Sequence, residues 1–310
     1  MSPSEVSRAG STARVFRVPS SSGSSLILEH GGGHFDLSYG FDHARHGDLL
    51  ELVSRGFFDH LPKLGEAARA HRRPVAAPVE VLTPFEPRQV GKVLALTRPP
   101  SELFERQAAG DCSRWFDNRS PHTLAADRAM VTVGDSEGAF EAVQVDPSVL
   151  FHQLFLAVVI SRRASGLEVA DAMSSIAGYT MASDFTRRSL DGRPRTPWFG
   201  ESPAGTLVIG PAFVPSSAFD LRDVQVRAQR KRGGVSDPQV TSCADFTPDV
   251  TLAVAALSRL AILHPGDLVL VPAGQGQGVV EGGDEVRCAI EGIGELSNSV
   301  RRRARLRLQA

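Results

Sequence analysis

The apolar residues of this chain fall in strand-sized runs, and glycine or proline cuts nearly every run short. Val93–Leu96, Val149–Ile160 and residues 268–271 are the clearest β candidates. Two stretches in the C-terminal two thirds of the chain read instead as helices. Residues 249–263 carry Val250, Leu252, Val254, Leu257 and Leu260 at helical spacing. Residues 167–176 place Glu168 and Asp171 near a helix start, where the helix dipole favours anions. Gly178 fits the end of that helix, and Pro265-Gly266-Asp267 ends the other. Many strands, few helices, 29 glycines and 20 prolines predict an α+β, mostly β fold with a rolled or sandwiched core. No internal repeat is visible.

The N-terminal region has a different texture. Its first dozen residues are polar and predict disorder. Residues 14–18 alternate like a strand, and a Ser/Gly-rich turn leads to Leu26-Ile27-Leu28, a hairpin signature. Residues 48–70 suit short amphipathic helices. Gly31-Gly32-Gly33-His34 has no helix signature after it and reads as a turn, not a phosphate loop. Residues 72–78 look like a connector, 79–82 like a strand and 84–87 like a break. A boundary near residue 88 separates a small α+β domain, 1–88, from a β core, 89–310.

Bulk properties narrow the function classes. A net charge of −1 over 310 residues offers no basic field for nucleic acid or an anionic membrane. Arg301-Arg302-Arg303 reads as a solvated tail. The three cysteines, Cys112, Cys243 and Cys288, lie far apart and in no metal spacing. That usage fits a reducing cytoplasm. The N-terminus lacks the charged-then-apolar pattern of a secretory signal, and no apolar run approaches membrane-span length.

Several segments, in order, resemble the fumarylacetoacetate hydrolase family. Ile176-Ala177-Gly178-Tyr179-Thr180 with Ser183-Asp184 is similar to that family's AGYT…ND segment. His264-Pro265-Gly266-Asp267 with Pro272-Ala273-Gly274 resembles EPGD…GTPAG. Residues 283–298 resemble its closing strand pair almost letter for letter, and the strand carrying Gly292 and Asn298 is expected to close the sheet beside residues 268–271. Ala157-Val158-Val159-Ile160, Thr196-Pro197-Trp198-Phe199 with Ile209-Gly210-Pro211, and Lys92-Val93-Leu94 match further strands and loops. The resemblance implies a mixed β-roll from about residue 91 to 300, usually a homodimer. The implied chemistry is metal-assisted handling of 1,3-dicarbonyl or 2-oxo acids, with Mg²⁺ chelating the keto-acid oxygens and stabilising an enolate. Magnesium takes hard oxygen ligands, so such a site is built from carboxylates.

At this site the chain departs from the family. The two glutamates of the family's E-x-E strand align with Gln153 and Phe155, and a further acidic position with Phe151. Gln153 keeps an amide oxygen; Phe155 cannot coordinate. The third ligand survives as Asp184. The family's early His and Glu fall in residues 98–106, at Leu103 and at Arg106 or Glu105. Arg119 aligns with a pocket lysine, Glu201 with a loop lysine and Val271 with a threonine, while Arg188 matches a family arginine.

These residues carry alternative readings. Asp184 is a base or anchor, or a turn residue left by ancestry. Arg119 binds an anionic or enolate oxygen, or is structural. His122 and Glu201 are acid–base candidates, or solvated loop residues. Phe151, Gln153, Phe155, Arg188, Trp198 and Val271 would line a substrate cleft made more apolar. Alternation puts His152 on the opposite face from Gln153. Three functions follow. The favoured one is a repurposed enzyme with no cofactor that performs tautomerisation, dehydration or cyclisation on an enolisable, polyketide-like or β-dicarbonyl small molecule in a biosynthetic pathway. The others are a Mg²⁺-dependent C–C hydrolase or decarboxylase, and a non-catalytic scaffold or ligand-binding protein.

Overall fold

A computed structural model describes residues 13–21, 23–39, 48–71, 74–97, 100, 116–133, 149–186, 205–237, 240–274 and 278–302. The chain begins with β1 (Arg14–Ser20), β2 (Gly23–His30) and β3 (Gly33–Asp36), a meander whose first hairpin is paired along its whole length. Helices α1 (Leu49–Ser54) and α2 (Leu61–His71) follow. Asp48 caps α1 by accepting the Glu51 N–H at 2.9 Å. Next come β4 (Val93–Leu96), β5 (Phe116–Arg119), β6 (Leu124–Ala125) and β7 (Met130–Val133). The long strands β8 (Val149–Ile160), β9 (Ile176–Thr186) and β10 (Leu207–Pro215) form the centre. The chain continues through β11 (Val224–Arg232), β12 (Val235–Ser236), β13 (Val240–Ala244) and helix α3 (Thr247–Leu260). It closes with β14 (Leu268–Pro272), β15 (Gly278–Glu281), β16 (Glu285–Ile290) and β17 (Gly294–Arg302).

These strands make two sheets, parallel in places and antiparallel in others. The larger runs β3-β2-β1-β10-β9-β8-β14-β4-β5, with β15 on β8 and β6 on β10. The smaller runs β12-β11-β16-β17-β7, with β13 on β11. The large sheet is covered on both faces, which is why β8 reads as a continuous apolar run instead of alternating. Leu154, Leu156, Val158 and Ile160 join the core that contains α3 and the small sheet. Phe155, Ala157 and Val159 join a second core with Leu49, Leu52, Phe58 and Leu61 from the N-terminal helices. Val15 of β1 pairs with Phe213 of β10, so the N-terminal meander extends the large sheet.

Three expectations need correction. The strand carrying Asn298 does not close the sheet beside 268–271. It lies in the small sheet between β16 and β7, because β14 already has β8 on one edge and β4 on the other. The helix expected over 167–176 is a 3₁₀ segment, Val169–Ser175, and Ile176 already belongs to β9. Ser175 turns its hydroxyl back to the Ala172 carbonyl at 2.8 Å, a local bond that competes with continued helix. Gly178 therefore ends no helix. It sits inside β9, where a Cβ would lie 2.2 Å from the Val214 carbonyl oxygen. Residues 79–82 form no strand; one bond, from the Leu82 N–H to the Arg17 carbonyl at 2.8 Å, ties them to β1.

No helix among the described residues is long and apolar enough to cross a membrane.

Candidate functional site

The residues singled out at the ends of β8 and β9 come together with β5. Gln153 lies directly opposite Asp184 in the β8–β9 ladder, and Phe151 opposite Thr186. Residues opposite one another share a face, so Phe151, Gln153, Phe155, Asp184 and Thr186 point the same way. Phe155 is 2% exposed and packs in the core under the N-terminal helices. The apolar cover thins beyond it, and Gln153 and Phe151 are half-buried.

Arg119 reaches this face because the chain between β5 and β6 spans the rolled sheet. At one end, Asp267 clamps β4 to β14. Its carboxylate accepts the backbone N–H groups of Lys92 at 2.7 Å and His264 at 2.8 Å, and pairs with the Lys92 ammonium at 2.6 Å. Gly91 gives it room, since a Cβ there would sit 2.3 Å from Asp267 Oδ1. β4 in turn holds β5, with Val93 opposite Arg119. At the other end, β6 pairs with β10. Leu207 of β10 faces Leu124 on one side and Asp184 on the other. One 3₁₀ turn, Pro121–Thr123, joins the two, with the Thr123 hydroxyl donating to the Ser120 carbonyl at 2.6 Å.

The result is a buried ion cluster. Arg119 Nε and Nη2 donate to Asp184 Oδ2 at 3.1 and 2.9 Å. Arg119 Nη1 lies 3.8 Å from Asp117 Oδ2. Arg119 is 6% exposed and Asp184 2%. Asp117 was not among the residues singled out from the sequence, although its signal was there: it stands two residues before Arg119 on a strand, and alternation puts both on one side.

Other candidates are placed elsewhere. Val271 is opposite Leu156 and belongs to the core behind the sheet, so it does not line the cleft; Pro272, opposite Phe155, occupies the corresponding place. His122 is exposed, and its backbone N–H, not its ring, bonds the Ser120 hydroxyl at 3.4 Å. Arg188, Trp198, Glu201, Leu103, Glu105 and Arg106 lie outside the described residues.

His152 faces away from Gln153, as alternation requires. Its Nε2 is 2.7 Å from the Ser183 hydroxyl and 3.7 Å from Cys288 Sγ, and its ring packs on Phe185 at 4.9 Å. Burial lowers its pKa to about 3, so the imidazole is neutral at ordinary pH. Burial likewise pushes the Cys288 thiol up to about 12, which leaves it unreactive.

The residues present do not fit the divalent cation that the family's chemistry implies. One ligand position is a phenylalanine packed in the core. The retained carboxylate, Asp184, already accepts two hydrogen bonds from a guanidinium. No group of three or more His, Cys, Asp or Glu able to hold a metal occurs among the described residues.

Comparison with known proteins agrees with the fold. The family described as fumarylacetoacetate (FAA) hydrolase C-terminal matches residues 116–301. The chain is 34% identical to Protein Rv2993c of Mycobacterium tuberculosis over 155 residues, 48% of this chain and 56% of that protein. It thus spans just over half the length of that relative. It is 28% identical to the bovine mitochondrial oxaloacetate tautomerase FAHD2A over 304 residues, 92% of this chain and 90% of that one. Among solved structures, fumarylacetoacetate hydrolase from Exiguobacterium antarcticum superposes with a TM-score of 0.71 at 22% identity, covering 94% of this chain and all of the other. With the motifs in order, both sheets assembled from them and a family match over most of the core, the chain belongs to the fumarylacetoacetate hydrolase family.

Proposed function

We propose that this chain is a metal-independent enzyme that moves a proton on an enolisable 2-oxo or 1,3-dicarbonyl compound. The observation that carries the reading is the buried Arg119–Asp184 pair beside the half-buried Gln153 and Phe151. In this mechanism Asp184 takes a proton from the carbon next to a carbonyl. The C–H electron pair becomes the new C=C bond, and the carbonyl oxygen becomes an enolate. Negative charge thereby moves from the carboxylate to the substrate oxygen, and Arg119 can hold a counter-anion before and after the transfer. Such preorganised stabilisation of developing charge is the largest single contribution in many enzymes. Returning the proton to oxygen completes a tautomerisation. Gln153 would orient the substrate, and Phe151 would contact an apolar substituent of a polyketide-like or β-dicarbonyl substrate. Further support is the resemblance to the bovine protein named as an oxaloacetate tautomerase.

The test follows the ultraviolet absorbance of the enol, with oxaloacetate and an aryl β-diketone as probes. Turnover should persist after EDTA treatment and fall at least a hundredfold in Asp184→Asn and Arg119→Ala. Loss of activity in EDTA with recovery in Mg²⁺ would overturn this reading in favour of a metal-dependent hydrolase or decarboxylase. Binding of a probe without turnover in the wild type would favour a ligand-binding protein.

A further inference from the structure

We infer that the guanidinium of Arg119 is the resident cation of this site, holding Asp184 and Asp117 as a divalent ion would hold a pair of carboxylates. Three observations lead there. The two carboxylates approach different edges of one guanidinium, Asp184 at Nε and Nη2, Asp117 at Nη1. All three side chains are buried or nearly so, at 7% for Arg119, 3% for Asp184 and 11% for Asp117. Buried carboxylates need a cation close by, because an unpaired charge away from water is costly. Finally, the residue opposite Asp184 is Gln153, which brings an oxygen to this face without adding a negative charge.

The residue type matters as much as the charge. A lysine at this position would be a compact point charge, whereas the planar guanidinium presents separate nitrogens in fixed directions and can hold two carboxylates at once. A divalent ion seated between Asp184 and Asp117 would take the place the Arg119 guanidinium occupies. The latent ligand set is therefore Asp117, Asp184 and the Gln153 amide oxygen, all hard oxygens. The guanidinium masks it.

The inference holds whether or not the site turns over a substrate, so its test reads binding and stability. Mn²⁺ is titrated into the full-length protein by calorimetry, and melting temperature is followed with and without millimolar Mn²⁺. Wild type should bind no stoichiometric Mn²⁺ and show no shift. Arg119→Met should gain a Mn²⁺-dependent rise of several degrees, since a ligand that binds only the folded state raises its stability. Arg119→Met/Asp117→Asn should lose that rise. Arg119→Gln carries the same test if the methionine variant is insoluble. One Mn²⁺ bound by wild type and lost in Asp184→Asn would overturn the inference. So would a folded Arg119→Met or Arg119→Gln protein that Mn²⁺ does not stabilise. Failure to find a substrate would leave it standing and count only against the proposed reaction.

Discussion

Breaking the Arg119–Asp184 pair should cost more from the arginine side than from the aspartate side, and removing both partners should cost less than the two single losses added together. At an effective dielectric of about 20, Coulomb attraction at 2.9 Å is roughly 6 kcal/mol, and the Asp117 contact at 3.8 Å adds roughly 4. Desolvation of each ion offsets several kcal/mol of this. Arg119→Met leaves Asp184, only 2% exposed, without that cation. The expected loss is about 3–5 kcal/mol, a fall in melting temperature on the order of 10 °C for a chain of this size. Asp184→Asn should cost less, about 1–3 kcal/mol, because Asp117 still faces the guanidinium. The double variant Arg119→Met/Asp184→Asn should be at least about 2 kcal/mol more stable than the sum of the single losses predicts. Scanning calorimetry of the four proteins at pH 7 measures the cycle. A loss under about 1 kcal/mol for Arg119→Met, additive with Asp184→Asn, would refute the closed pair and the reasoning built on it.

His152 makes stability depend on pH. Its folded-state pKa of about 3 lies below the ordinary 6.5, so below pH 6.5 the unfolded chain binds more protons and stability falls until pH reaches about 3. The contribution is fully present above pH 6.5 and should shrink by about 2 kcal/mol between pH 7 and 5. Comparing the pH dependence of unfolding in wild type and His152→Leu isolates it, and identical profiles would contradict the buried neutral imidazole. Phe155→Glu restores a family ligand type at a position 2% exposed in an apolar core. It should lower the melting temperature without improving turnover, and unchanged stability would show that Phe155 is not core-packed.

The fold was legible because it rests on local signals that tertiary context did not override. Val149–Ile160 and Val93–Leu96 read as strands and are strands. The 249–263 helix is present as Thr247–Leu260, with Pro248 in its first turn, where a missing N–H costs nothing. The failures have physical causes. The 167–176 segment has the composition of a helix, but Ser175 back-bonds and Ile176 is already committed to a sheet ladder. The Asn298 strand was given the wrong sheet because a strand's partner depends on which edges are free, and no local pattern encodes that.

The same division runs through the site. Alternation in the sequence alone put Gln153 and His152 on opposite faces, and the substitution of carboxylates by Gln153 and Phe155 was visible without coordinates. The partner of Asp184 was not. Arg119 lies 65 positions earlier in the chain and reaches it only because β4 is clamped to β14, β5 pairs with β4, and a single turn carries the chain to β10. Val271 illustrates the converse, since its place in a motif suggested the cleft and its register opposite Leu156 put it in the core. Sequence determined which side chains are available and, through period-two alternation, which face each takes within its own strand. Tertiary structure decided which faces meet, because a sheet closes through long-range hydrogen bonding and burial.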